Sequence, residues 1–241
     1  MQSASHPRRR LALVPVALLA SGALVLAACG GDDDEPASAT ADRPASTASG
    51  DGMGADGGTG PTSDTKAAAL RASLTALLQE HVYLAGIATG TALSGGALEA
   101  PAAALDENSK ALADAIGSVY GDEAGEAFLG LWRSHIDMFV DYTTGVATGD
   151  EARKQGAIDD LTRYAGDFAA FLAGANPNVD PDTVVGELTH HVETLTAAID
   201  AQGAGDPAQF TLLREAAGHM DTTAAYLAEA IVDQHPDDFS G

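Results

Sequence analysis

His81 stands in "LLQEHVYLAGIATG", His135 in "LWRSHIDMFVDYTTG" and His191 in "GELTHHVETLTAAID". In each segment large apolar residues recur every three to four positions, the spacing of one face of an α-helix. Leu74, Leu77, Leu78, His81, Leu84, Ala85 and Ala88 make the first stripe; Phe128, Leu131, His135, Met138, Tyr142 and Val146 the second. Val184, Leu188, His191, Leu195 and Ala198 make the third, and Leu212, Ala216, His219, Thr223 and Tyr226 a fourth. An imidazole on such a stripe is costly to bury unless its nitrogens are paired. Something must satisfy them.

Three chemistries fit that pattern. Each histidine can find a local carboxylate, hydroxyl or carbonyl. Alternatively, two or more of His81, His135, His191 and His219 converge on a transition metal, because helical bundles build metal sites from inward side chains on facing helices. Neutral imidazole suits copper or zinc, with copper placed first here for the nearby "HIDM" and "HM" pairs. The third chemistry is a haem held by two axial histidines, non-covalently since no CxxCH occurs. Asn108, Asp167 and Met138 are candidates for orienting the imidazoles from a second layer. His190 points about 100° away from His191 on a helix and reads as a surface residue. His235, in "DQHPDDF", reads as structural. No Gly-rich phosphate loop, GxSxG, HExxH or free nucleophilic cysteine is present, so no enzymatic chemistry has positive support. The ExxH pairs of diiron bundles are not expected on the histidine helices, and Glu80 and His81, being adjacent, face different ways.

The elements that must carry these residues are helices. One is expected from about Lys66 to Leu93, a second opening at Pro101 and ending near "VYGDE", a third from Glu123 to Thr148, and a fourth from Asp150 to "GANPN". Asp180-Pro181 and Asp206-Pro207 each offer an N-cap followed by proline at the first helical position, opening helices five and six. The histidine segments repeat at spacings of 54 and 56 residues. Each precedes a partner helix centred near Asn108, Tyr164 or His219. The expected fold is therefore all-α, an antiparallel bundle of about six helices arranged as three tandem αα-hairpins.

Residues 66–241 form that domain. Ahead of it, "MQSASHPRRR" and "LALVPVALLASGALVLAA" read as the charged and apolar regions of a signal peptide over residues 1–28. "LAAC" ends on Cys29, the chain's one cysteine, and resembles the lipobox of bacterial lipoproteins, which implies lipidation at Cys29 and an anchor on the outer face of the cytoplasmic membrane. An uncleaved membrane anchor is the alternative. Arg8 to Arg10 hint at twin-arginine export without the full motif. Residues 29–65, rich in Gly, Ser, Ala, Pro and Asp, read as a disordered acidic tether. The net charge is −23, becoming −26 if cleavage removes Arg8, Arg9 and Arg10 and no acid. Nucleic acid is excluded as a partner by that sign, and cations are favoured.

"SVYGDEAGEAFLGLWRSHID", "FAAFLAGANPN", "HHVETLT" and "IVDQHPDDF" together resemble a poorly characterised family of exported all-helical proteins of Gram-positive bacteria, over about Leu70 to Phe239. The resemblance implies that His81, His135, His191 and His219, but not His190, occupy the family's recurrent histidine positions. The chain departs from the pattern at "YLAG" after the first histidine and at His235, where phenylalanine is usual. Sequence and resemblance lead to one expectation: an exported lipoprotein whose bundle binds copper or zinc through histidines. A structural or protein-interaction module of the cell envelope is the competing class.

Overall fold

A computed structural model describes residues 62–240. The expected signal peptide, Cys29 and nearly all of the expected tether lie outside the described residues. Six long helices follow: α1 (Lys66–Leu93), α2 (Glu99–Tyr120), α3 (Asp122–Thr148), α4 (Glu151–Ala175), α5 (Pro181–Ala204) and α6 (Gln209–Gln234). A single turn of helix, α7 (Pro236–Phe239), ends the chain, and a 3₁₀ turn at Thr62–Asp64 precedes α1. The last four residues of the stretch expected to be tether are thus part of the described structure, and Thr65 Oγ1 caps α1 by accepting from Ala68 N at 3.2 Å.

Local chemistry explains most of the boundaries. Asp150 and Asp180 cap α4 and α5, accepting from Arg153 N at 3.0 Å and Asp182 N at 3.2 Å. Asp206-Pro207 behaves differently from expectation. Asp206 accepts from Ala208 N and Gln209 N at 2.9 and 3.0 Å, so the pair forms a turn and α6 starts only at Gln209. Helix α2 opens at Glu99, two residues before Pro101, because a proline in the first turn leaves no needed N–H missing.

Each long helix packs along its chain neighbours, and α6 closes the ring against α1. The histidine helices α1, α3 and α5 also touch one another, whereas α2, α4 and α6 make no comparable contact among themselves. The result is a central trio of odd helices with an even helix bridging each gap, the arrangement that three tandem hairpins would produce. Backbone geometry carries the same repeat. Gly95, Gly149 and Gly205 take φ of 72°, 68° and 64° at the turns after α1, α3 and α5, each fourteen residues beyond the histidine of its helix. Glycine tolerates that left-handed conformation without a Cβ clash.

The two ends of the bundle are tied by polar side chains. At the end reached by the C-termini of the odd helices, Gln202 donates to Gly86 O at 2.9 Å and accepts from Thr89 Oγ1 at 2.8 Å. Tyr142 Oη there donates to Asp200 at 3.0 Å. At the opposite end Asn176, which is 2% exposed, donates to Ala230 O at 2.9 Å and Tyr120 Oη at 3.1 Å. Tyr120 in turn donates to Gln234 Oε1 at 2.9 Å. The histidines lie between these two latches.

Candidate functional site

His81, His135 and His191 are 2%, 4% and 6% exposed, one from each central helix. His81 Nε2 and His135 Nε2 face each other at 3.3 Å. His191 borders the same internal cavity, of about 90 Å³, with its ring centroid 5.8 Å from that of Phe139. Trp132, the chain's one tryptophan, meets both rings of the pair edge-on, at 4.8 Å from His81 and 4.6 Å from His135. Tyr164 from α4 lies 5.2 Å from His135. On its other side the pair borders a groove of about 530 Å³ between α1, α2 and α3, with Asp106, Arg133 and Asp137 on its walls. The groove gives the buried pair a route to solvent.

Burial dominates the acid–base behaviour. It pushes His81 down to about 3, with the neighbouring His191 adding to the effect and the Asn108 side chain, as an acceptor, opposing it. His135 lies well below the usual imidazole range, first through burial, then through His81 and His191, against an opposing hydrogen bond to the Trp132 backbone. His191 falls to about 4 through burial and then through His219 and His190. Burial raises the Tyr164 phenol. All three imidazoles are therefore neutral at pH 7.

A neutral imidazole has one N–H and one lone pair. If the two facing Nε2 atoms shared a proton, one ring would donate and the other would carry a buried Nδ1–H. Yet Nδ1 of His81, His135 and His191 is buried without an aligned partner, as are Asn108 Oδ1, Trp132 Nε1 and Tyr164 Oη. Five of these six residues line one cavity, and buried polar atoms left unpaired in a native interior call for an explanation. The surroundings do favour one tautomer. Asn108 commits its Nδ2 to Leu77 O at 3.0 Å and Glu80 at 2.9 Å, which leaves its Oδ1 as the atom that can accept from His81.

The four expected ligands are thus not all together. His81 and His135 pair, and His191 shares their cavity, but His219 sits at the edge of α6, where Met220 takes the buried position. His219 Nε2 lies instead 2.9 Å from Glu187 Oε2. Helical drift explains the shift: the buried face of α6 runs through Ala216, Ala217, Met220 and Ala224, one position round from the expected stripe. The same rotation on α3 buries Trp132 and Phe139 in place of Leu131 and Met138, so Met138 packs half-buried in the core and borders neither cavity. Asn108 lies beside His81 as expected, whereas Asp167 is exposed on α4. The partner positions of the repeat do face their histidines: Asn108 faces His81, Tyr164 faces His135, and His219 acts on His191. His235 packs against Tyr120 at 5.8 Å. The expected lack of ExxH fails at Glu187-Leu188-Thr189-His190, which has that spacing on α5. Trp132 was absent from the expected site; its place one residue after Leu131 on the same helix was the available signal.

Among the described residues no three His, Cys, Asp or Glu side chains already surround a single point, and no helix is long and apolar enough to cross a membrane. Fold and site together define a class, an all-α bundle with a buried, neutral histidine pair at its centre. No family model, curated protein or solved structure matches the chain.

Proposed function

We propose that the bundle is a binding module for a transition-metal ion, with His81 and His135 as its inner ligands. One observation carries the reading: two buried Nε2 atoms from different helices face each other at 3.3 Å in an apolar interior. Where both Nε2 atoms carry their lone pairs the two repel, and a cation bound to both, off the line between them, removes that repulsion. Two nitrogens bound at 2.0–2.1 Å with tetrahedral geometry stand about 3.3 Å apart; a square-planar pair stands about 2.9 Å apart. The spacing therefore favours zinc or monovalent copper over divalent copper. Asn108 Oδ1, left without a partner and near His81, would accept the outer hydrogen bond that a metal-bound imidazole requires. His191, on the same cavity, is placed to give a third nitrogen after a change of rotamer. The pair is not set for the two axial positions of a haem, because axial nitrogens on opposite sides of one iron stand about 4 Å apart, on bonds of roughly 2.0–2.1 Å, against 3.3 Å here.

The export reading belongs to the same proposal. "LAAC" and the charged and apolar segments before it support a lipoprotein anchored through Cys29 outside the cytoplasmic membrane, where the acidic chain would meet metal ions directly.

Titration of the untagged full chain with zinc and copper tests the binding, with Trp132 fluorescence as the local reporter. Saturable binding tighter than about 10 μM, equivalent to about −7 kcal/mol, is expected to perturb Trp132 in the wild type and not in His81→Gln. An unchanged Trp132 signal up to that concentration contradicts the proposal.

A further inference from the structure

Glu187 and His190, three residues apart on α5, lie on one face of the helix. Helix α6 brings His219 against them. Its Nε2 lies 2.9 Å from Glu187 Oε2, and its ring meets the His190 ring edge-on with centroids 4.3 Å apart. Thr223, one turn beyond His219, donates to the same Glu187 oxygen at 2.7 Å, which holds the carboxylate in place. A plain ion pair would align the imidazole N–H with that oxygen, but the buried Nε2 has no aligned hydrogen-bond partner. Glu187 and His219 are only 19% and 18% exposed, while His190 is open to solvent.

We propose that Glu187, His190 and His219 form a second, solvent-facing site for a divalent transition-metal ion, distinct from the His81–His135 pair. Two imidazoles and one carboxylate are a donor set that zinc accepts, with a position left for water. As they stand the three side chains do not surround one point; rotation of the exposed His190 ring is the movement that closes them. Glutamate and histidine at this helical spacing, facing a ligand on a neighbouring helix, are a recurrent way for bundles to hold metal. A net charge of −23 raises the local cation concentration. Glu187 and Thr223 also border the cavity lined by His81, His135 and His191, so the two sites adjoin, but they share no ligand residue.

Calorimetric titration of the full chain with zinc tests it, comparing wild type with His190→Ala, Glu187→Gln and His81→Gln. Wild type should take two equivalents. His190→Ala and Glu187→Gln should each lose one, or bind it at least tenfold more weakly, while His81→Gln keeps it. Because His190 is exposed, helix content by circular dichroism should not change in His190→Ala, which separates loss of a ligand from loss of fold. Equal stoichiometry and affinity in wild type and His190→Ala would overturn the proposal and leave an ion pair only. A single equivalent retained by His81→Gln and lost by His190→Ala would uphold this site while removing the inner one; the reverse would remove this site alone. Absence of any zinc binding would overturn both.

Discussion

At the level of single residues the histidine pair makes two demands that can be measured. Asn108 holds its amide between Leu77 O and Glu80 and presents its remaining oxygen towards His81. Removing that acceptor in Asn108→Ala should lower zinc affinity at the inner pair about 10- to 100-fold, the usual effect of losing a group that orients a metal-bound imidazole. Competition titration against a zinc indicator measures it. The second demand concerns protons. His81, His135 and His191 are held below 6.5 in the folded chain and return to about 6.5 on unfolding. Above 6.5 both states are neutral and the histidines leave stability independent of pH. As pH falls below 6.5 the unfolded chain takes up protons that the folded chain refuses, so stability falls until the folded values, about 3 for His81 and about 4 for His191, are reached. Each such proton costs about 1.4 kcal/mol per pH unit. Urea unfolding should therefore show marked destabilisation from pH 6.5 to 5, reduced in His81→Gln. Zinc affinity of the inner pair in the folded chain should stay flat over that range, because its imidazoles remain neutral. His81 and His135 were legible in sequence because an imidazole on an apolar stripe needs a partner. Trp132 and the displacement of His219 were not, because the ideal period fixes a face only to within about one residue.

Elements repeat the same lesson on a larger scale. Six helices could be read from apolar period, Asp caps and the Asp-Pro pairs, and the threefold repeat from histidine spacing. The glycines at Gly95, Gly149 and Gly205 recur with the same spacing and confirm it in backbone geometry. Less legible were the contacts between helices, which depend on partners far apart in sequence. Asn176 is the example: it reads as a break after α4, yet it links Ala230 and Tyr120 and accepts from Asn178 N at 2.9 Å. Asn176→Ala should cost about 1–3 kcal/mol, leaving Ala230 O buried without that bond, with zinc affinity unchanged. Thermal melting beside a zinc titration checks both parts. Gly125 sets the approach of α3 to α2, since a Cβ there would lie 2.8 Å from Ala113 O and 3.2 Å from Gly117 Cα. Gly125→Ala should cost about 1–3 kcal/mol through overpacking against backbone that cannot retreat.

In the proposed reading of the whole molecule, an N-terminal segment for export and lipid attachment precedes the helical module. Cys29→Ala should release the protein from membranes or leave its precursor uncleaved; normal processing and membrane retention would count against the anchor. Residues 62–241 produced alone should stay soluble and mostly helical by circular dichroism, because the core is made by α1 to α6 without the preceding segment. The start of the first long helix at Lys66 was legible from composition, since residues 30–65 hold almost no large apolar side chain. The identity of the proposed ion was not, because it depends on a distance between two nitrogens on different helices. X-ray absorption at the zinc edge, on the full-length His190→Ala chain loaded with one equivalent, addresses that distance directly. The expected spectrum shows at least two imidazole nitrogens at about 2.0–2.1 Å, and His135→Gln should remove one of them. A first shell of oxygen alone, or one unaffected by His135→Gln, would contradict a metal centre at the histidine pair.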